Sequence, residues 1–174
     1  MLIDTKQLGQ IKPCLYYSQI YDNRFFMNIH RHETLEIMYV SDGTMSLTTL
    51  DEKKEETNYT VFQGQFALIK SNLPHKLSVP ESAVILNVEF ESAGSAKSID
   101  SLFFDNAIAS AYPKTQAYCL EHKGLLIFED THSVLQSLTR LQEGLSNKTP
   151  TPPLRNTSLS YPMPCSCPSL FPTF

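Results

Sequence analysis

From residue 14 to residue 91 the chain is a succession of short apolar or alternating runs: CLYYSQI, RFFMNIH, EIMYVS, TMSLTTL, NYTVF, QFALIK, HKLSV and VILNVEF, separated by turn residues. Runs of that length and spacing predict an antiparallel sandwich or barrel. Asp42-Gly43 is the best hairpin signal, because glycine supplies the positive φ that a tight primed turn requires. The charged insert DEKKEE, residues 51–56, reads as the solvated tip of the next connection. In VILNVEFE, Val84, Leu86, Val88 and Phe90 alternate with Asn87, Glu89 and Glu91, which predicts one buried and one polar face. Glu89 is accordingly expected to be solvated.

The period changes after ESAGSAKS. Residues 99–111 can form a short helix before the Tyr112-Pro113 break, and GLLIF suggests a further strand. The clearest helix is DTHSVLQSLTRLQEGLSN, with Asp130 or Thr131 as N-cap and Val134, Leu138, Leu141 and Leu145 recurring at four, three and four. That seam can pack on the chain's own barrel or against a second copy, so the same four residues are the candidate dimer interface. From Lys148 onward the text holds seven of the chain's eleven prolines and no acidic residue. Residues 148–174 are therefore expected to be an irregular, Pro-rich tail, an extension or the product of an altered reading frame that replaced a downstream domain.

A chain of 174 residues suits one domain. With 41% hydrophobic and 18% charged residues the composition is globular. A formal net charge of -4 and the lack of a Lys/Arg cluster argue against direct nucleic-acid binding. No window approaches the roughly 20 apolar residues of a membrane span, and no signal peptide opens the sequence, so a cytoplasmic protein without membrane contact is expected. Cys14, Cys119, Cys165 and Cys167 read as isolated thiols.

The chemistry sits in NIHRHETLEIMYVSDG. Along a strand His30 and His32 project on one side with Cβ atoms roughly 6 to 7 Å apart, close enough to converge on one ion. Glu36 would lie about 13 Å beyond His32 on a straight strand, so a shared site demands that the chain bend within Glu33-Thr34-Leu35. His75, after the turn SNLP, can supply a further ligand. Three imidazoles and a carboxylate suit first-row divalent metals such as Zn, Ni, Fe or Mn. The alternative is a set of polar residues lining a pocket, with Met38, Val40 and Asn28 sharing their strand face.

These residues resemble the cupin motifs. His30, His32, Glu36 and Gly43 match the first motif, and Gly64 and His75 match the ends of the second. Lys70 stands where the second motif has proline, Asn72 where it has glycine, and Arg24 where the first motif opens with glycine. Within cupins, roughly residues 10–146 look most like the N-terminal sensing domain of AraC-family transcription regulators. The resemblance implies a mainly β fold, a double-stranded β-helix (the cupin jelly-roll barrel) followed by C-terminal helices that support homodimerisation. It further implies a small-molecule effector, a sugar or similar, held near His30, His32, Glu36 and His75, with or without a metal. The helix-turn-helix units of that family are not legible here, so this chain is not expected to bind DNA by itself. The rival expectation is a metal-dependent cupin enzyme, a dioxygenase or isomerase, which an extra acid or base inside the barrel would favour.

Overall fold

The computed structural model describes residues 11–22, 24–92, 100 and 124–146. Expectations for the 99–111 helix, other than Asp100, for Cys119, Cys165 and Cys167, and for the 148–174 tail lie outside the described residues. Among the described residues, eight strands and a helix follow in order: β1 (Ile11–Tyr21), β2 (Phe25–Phe26), β3 (Leu35–Leu50), β4 (Glu56–Phe62), β5 (Gln65–Ile69), β6 (His75–Val79), β7 (Ala83–Ser92), β8 (Leu125–Glu129) and α1 (Val134–Ser146). Every strand pairing among them is antiparallel. The protein is therefore mainly β, consistent with the expected jelly roll. Among the described residues no helix is long and apolar enough to cross a membrane.

The sixteen-residue strand β3 organises the fold. Its first half lies between β7 and β5 in the order β1-β7-β3-β5-β8, and its second half pairs with β4 and β6, the latter also holding β2. Asp42-Gly43 is thus not the tip of a hairpin, as its sequence suggests. The strand continues through it, with a register shift against β7 between Val40 and Asp42. One extra residue in a period-two strand moves the inward side from even to odd positions. Met38 and Val40 before the bulge and Met45 and Leu47 after it consequently enter one core, together with Val61, Ile69, Leu77, Val79 and Ile85. Gly43 has φ 76, so the dipeptide's positive-φ signal is real but serves a bulge. The true hairpin follows at the charged insert, where Leu50 pairs with Glu56 and Asp51 accepts from the amides of Lys53 and Glu55.

The outer face of the first sheet is covered as well. Leu138 of α1 is buried against Tyr39, Leu86 and Val88, with Val134, Leu135 and Leu141 half-buried in the same cluster. Leu138 of the seam thus packs on the chain's own sheet. The Asp130 carboxylate caps α1, accepting from the amides of Val134 at 2.7 Å and Leu135 at 3.1 Å. This packing corrects the expectation for β7. Its apolar face, Leu86 and Val88, lies under the helix, while Asn87 is buried with Glu36 on the opposite, interior face.

Candidate metal centre

Three local features bring the histidines together. His30 and His75 exchange both backbone hydrogen bonds at 2.9 Å, an isolated bridge that sets their rings side by side with centroids 4.4 Å apart. The His32 carbonyl accepts from the amide of Asn72 at 2.7 Å. The chain then bends at Glu33-Thr34 before β3 begins at Leu35, which meets the geometric demand read from the sequence. Glu36 returns toward His32 and His75, with Oε2 at 3.1 Å from Nε2 of each.

The departures from the cupin motifs have structural reasons. Asn72 (φ 59) and Arg24 (φ 60) hold the left-handed backbone that glycine ordinarily supplies. Lys70, in place of proline, donates its amide to the Gly124 carbonyl at 2.7 Å, a bond proline cannot make.

Each imidazole has its tautomer set by oxygen acceptors. Nδ1 of His30 faces the carbonyl of Asn28 at 3.1 Å, Nδ1 of His75 that of Leu73 at 2.8 Å, and Nδ1 of His32 that of Thr34 at 3.2 Å. A carbonyl only accepts, so Nδ1 carries the proton in every ring and the other nitrogen of a neutral ring presents a lone pair. The three rings place one nitrogen each within 4.8 Å of one another. His75 Nε2 is buried and, although 3.1 Å from Glu36 Oε2, lies out of line for a hydrogen bond and has no other partner among the described residues.

Glu36, 2% exposed, anchors the centre. Burial alone would raise its pKa, but His32 and His75, in their protonated forms, hold it at about 2. Asn87 donates to Glu36 Oε1 at 2.6 Å and to the Tyr17 hydroxyl at 2.7 Å. Burial pulls the His32 pKa down, yet its contact with Glu36 raises it overall; burial and the neighbouring His75 lower that of His30.

This donor set fits a divalent cation. Ligand atoms about 2.1 Å from one ion at right angles stand roughly 3 Å apart, close to the two 3.1 Å spacings around Glu36 Oε2. An orphaned buried imidazole nitrogen beside an ionised carboxylate is otherwise costly. The structure thus sets His30, His32 and His75 together and Glu36 against His32 and His75. Met38 and Val40 belong to the core on the same strand face, whereas the Asn28 side chain is exposed outside any strand and only its carbonyl reaches the site.

The sequence reading missed Tyr17, Thr34 and Asn87 and set Glu89 aside as solvated. Glu89 Oε2 accepts from the Thr34 hydroxyl at 2.6 Å, and His32, Glu36 and Glu89 form a second group with ligand atoms within 4.8 Å. The available signal was the uniformly apolar Leu86-Val88-Phe90 face, which matches a helix with its own apolar seam and leaves the polar face to turn inward.

Residues 25–89 match the family model of a cupin domain, Cupin_2. Solved structures similar to the chain include a cupin-2 domain containing protein from Shewanella frigidimarina, 22% identical with TM-score 0.36, covering 45% of this chain and 78% of that one. Others are a mutant of Bacillus subtilis oxalate decarboxylase, 23% identical with TM-score 0.40 over 66% of this chain and 33% of that one, and a conserved protein of unknown function from Streptococcus pyogenes, 20% identical with TM-score 0.39 over 47% and 65%. The match thus spans a third of the decarboxylase and just under two thirds of the streptococcal protein. No curated protein matches the sequence significantly.

Proposed function

We propose that the chain is the effector-sensing domain of a bacterial AraC-type transcription regulator, with His30, His32, Glu36 and His75 holding a divalent cation at the effector site. One observation carries the sensing part. Helix α1 is seated on the back of the strands whose interior face forms the site, so Tyr39 and Leu86 under the helix adjoin strand positions that lead to Glu36 and Asn87 within. A ligand that shifts β3 against β7 changes the seat of Leu138, and a bias on α1 follows if the two arrangements differ in ligand affinity. The bound cation would supply a Lewis-acidic centre for an oxygen-bearing effector. Asn87 and Tyr17 hold the Glu36 carboxylate in place, and the three Nδ1 contacts orient the imidazoles. DNA contact would fall to a helix-turn-helix domain other than this one. Homodimerisation would use surface other than the buried side of Leu138.

A second reading, a metal-dependent cupin enzyme, is favoured by Glu89, an acid that stands beside His32 and Glu36. The two are separated by screening sugars and small acids for a rise in Tm, then measuring amide exchange of α1 and the chemical fate of the ligand. A sensor returns its ligand unchanged and alters protection of residues 134–146. Turnover of the ligand without change in α1 would sink the sensing proposal.

A further inference from the structure

The three imidazoles are not held alike. His30 and His75 rely on backbone carbonyls. His32 has one at 3.2 Å, but its Nδ1 lies closer, at 2.7 Å, to the Thr34 hydroxyl, which in turn lies 2.6 Å from Glu89 Oε2. An ionised carboxylate can only accept. The hydroxyl proton therefore points at Glu89, and the hydroxyl oxygen receives the Nδ1 proton of His32: a one-way chain from imidazole to hydroxyl to carboxylate. Glu89 also stands directly opposite Glu36 in the β3–β7 register. Like charges at opposed positions destabilise a sheet, so a second carboxylate here has a cost that an uncharged residue would avoid. The structure offsets it locally, Glu36 being bonded by Asn87 and Glu89 by Thr34.

We infer that Thr34 and Glu89 are positioning residues for His32, fixing its ring and tautomer and making its Nε2 a stronger donor to a divalent cation than backbone bonding alone would. The inference deepens the proposed metal-holding role and rests on it. Outer partners of this kind typically alter metal affinity by about 10- to 100-fold.

The test uses the full chain, Ni2+ as probe and two readouts: calorimetric affinity, and the nitrogen NMR signals of the histidines without metal. Thr34→Val, which preserves side-chain shape, is expected to weaken Ni2+ binding by about 10-fold or more and to shift His32 toward a mixture of tautomers, with His30 and His75 unchanged. Thr34→Ser, which keeps the hydroxyl, restores both, and Glu89→Gln, which keeps an acceptor without its charge, falls between. Wild-type affinity and unchanged His32 signals in Thr34→Val would overturn the inference. If wild type takes up no Ni2+, the metal reading fails, and the His32 signals alone then decide the positioning: a shift in Thr34→Val supports it and no shift overturns it.

Discussion

Gly43 and Gly64 make a matched pair for testing the bulge that turns β3 from one sheet into the other. Their φ values are 76 and 81, so alanine meets the same left-handed strain at both. That strain costs roughly 1 to 2 kcal/mol. The surroundings differ: a Cβ at Gly64 meets nothing within 4 Å, whereas at Gly43 it would sit 2.1 Å from the backbone oxygen of Ser82 and 3.0 Å from Ala83 Cα. Relief requires β7's start to retreat by about 1 Å from the strand it pairs with, and such overpacking costs roughly 1 to 3 kcal/mol more. Gly64→Ala should lose about 1 to 2 kcal/mol and Gly43→Ala about 2 to 5 kcal/mol. In urea, with a slope of about 1 to 3 kcal/mol per molar, a 2 kcal/mol difference separates the two midpoints by roughly 1 M. Superimposed unfolding curves for the two variants would refute the claim that close backbone approach pins the bulge.

Leu138→Ala should cost about 2 to 4 kcal/mol and raise amide exchange in α1 before the strands, because it empties the seat between Tyr39, Leu86 and Val88; uniform exchange in both would argue against a helix that opens separately. Asp130→Ala should cost about 1 kcal/mol, since the carboxylate caps two amides. Burial would raise the Asp130 pKa, but its bonds from Leu135, Val134 and Tyr39 lower it overall. Its contribution is therefore complete above the ordinary aspartate range and fades as pH falls through the folded value, so wild type and variant should converge on acidification below about pH 4. Arg24→Gly should stabilise by up to about 1 kcal/mol, and Lys70→Pro should destabilise by about 1 to 3 kcal/mol through loss of the Gly124 bond, both read by chemical denaturation. A saturating divalent ion at a hundredfold excess over Kd adds about 2.7 kcal/mol, so chelation of loaded protein should lower Tm by roughly 5 to 10 °C.

Local signals in the sequence led to the residues of the candidate site, and non-local ones were hidden. The HxH pair, Glu36 and His75 were legible because residue type and spacing declare them, and the bend at Glu33-Thr34 followed from strand length alone. Asp42-Gly43 was misread because the same positive φ serves a hairpin or a bulge, and only the partner strand decides between them. Glu89 and Asn87 were assigned to solvent because the inward side of β7 depends on α1, more than 40 residues later, covering the apolar face. The same dependence hid the Thr34–Glu89 pair, whose members lie 55 residues apart.

The most direct test of the account is the metal content of the chain purified without a polyhistidine tag, measured beside His75→Ala. The expected result is one divalent ion per wild-type chain, lost with the imidazole whose Nε2 has no other described partner. Folded wild-type protein that stays metal-free after exposure to zinc, nickel, iron and manganese would contradict it.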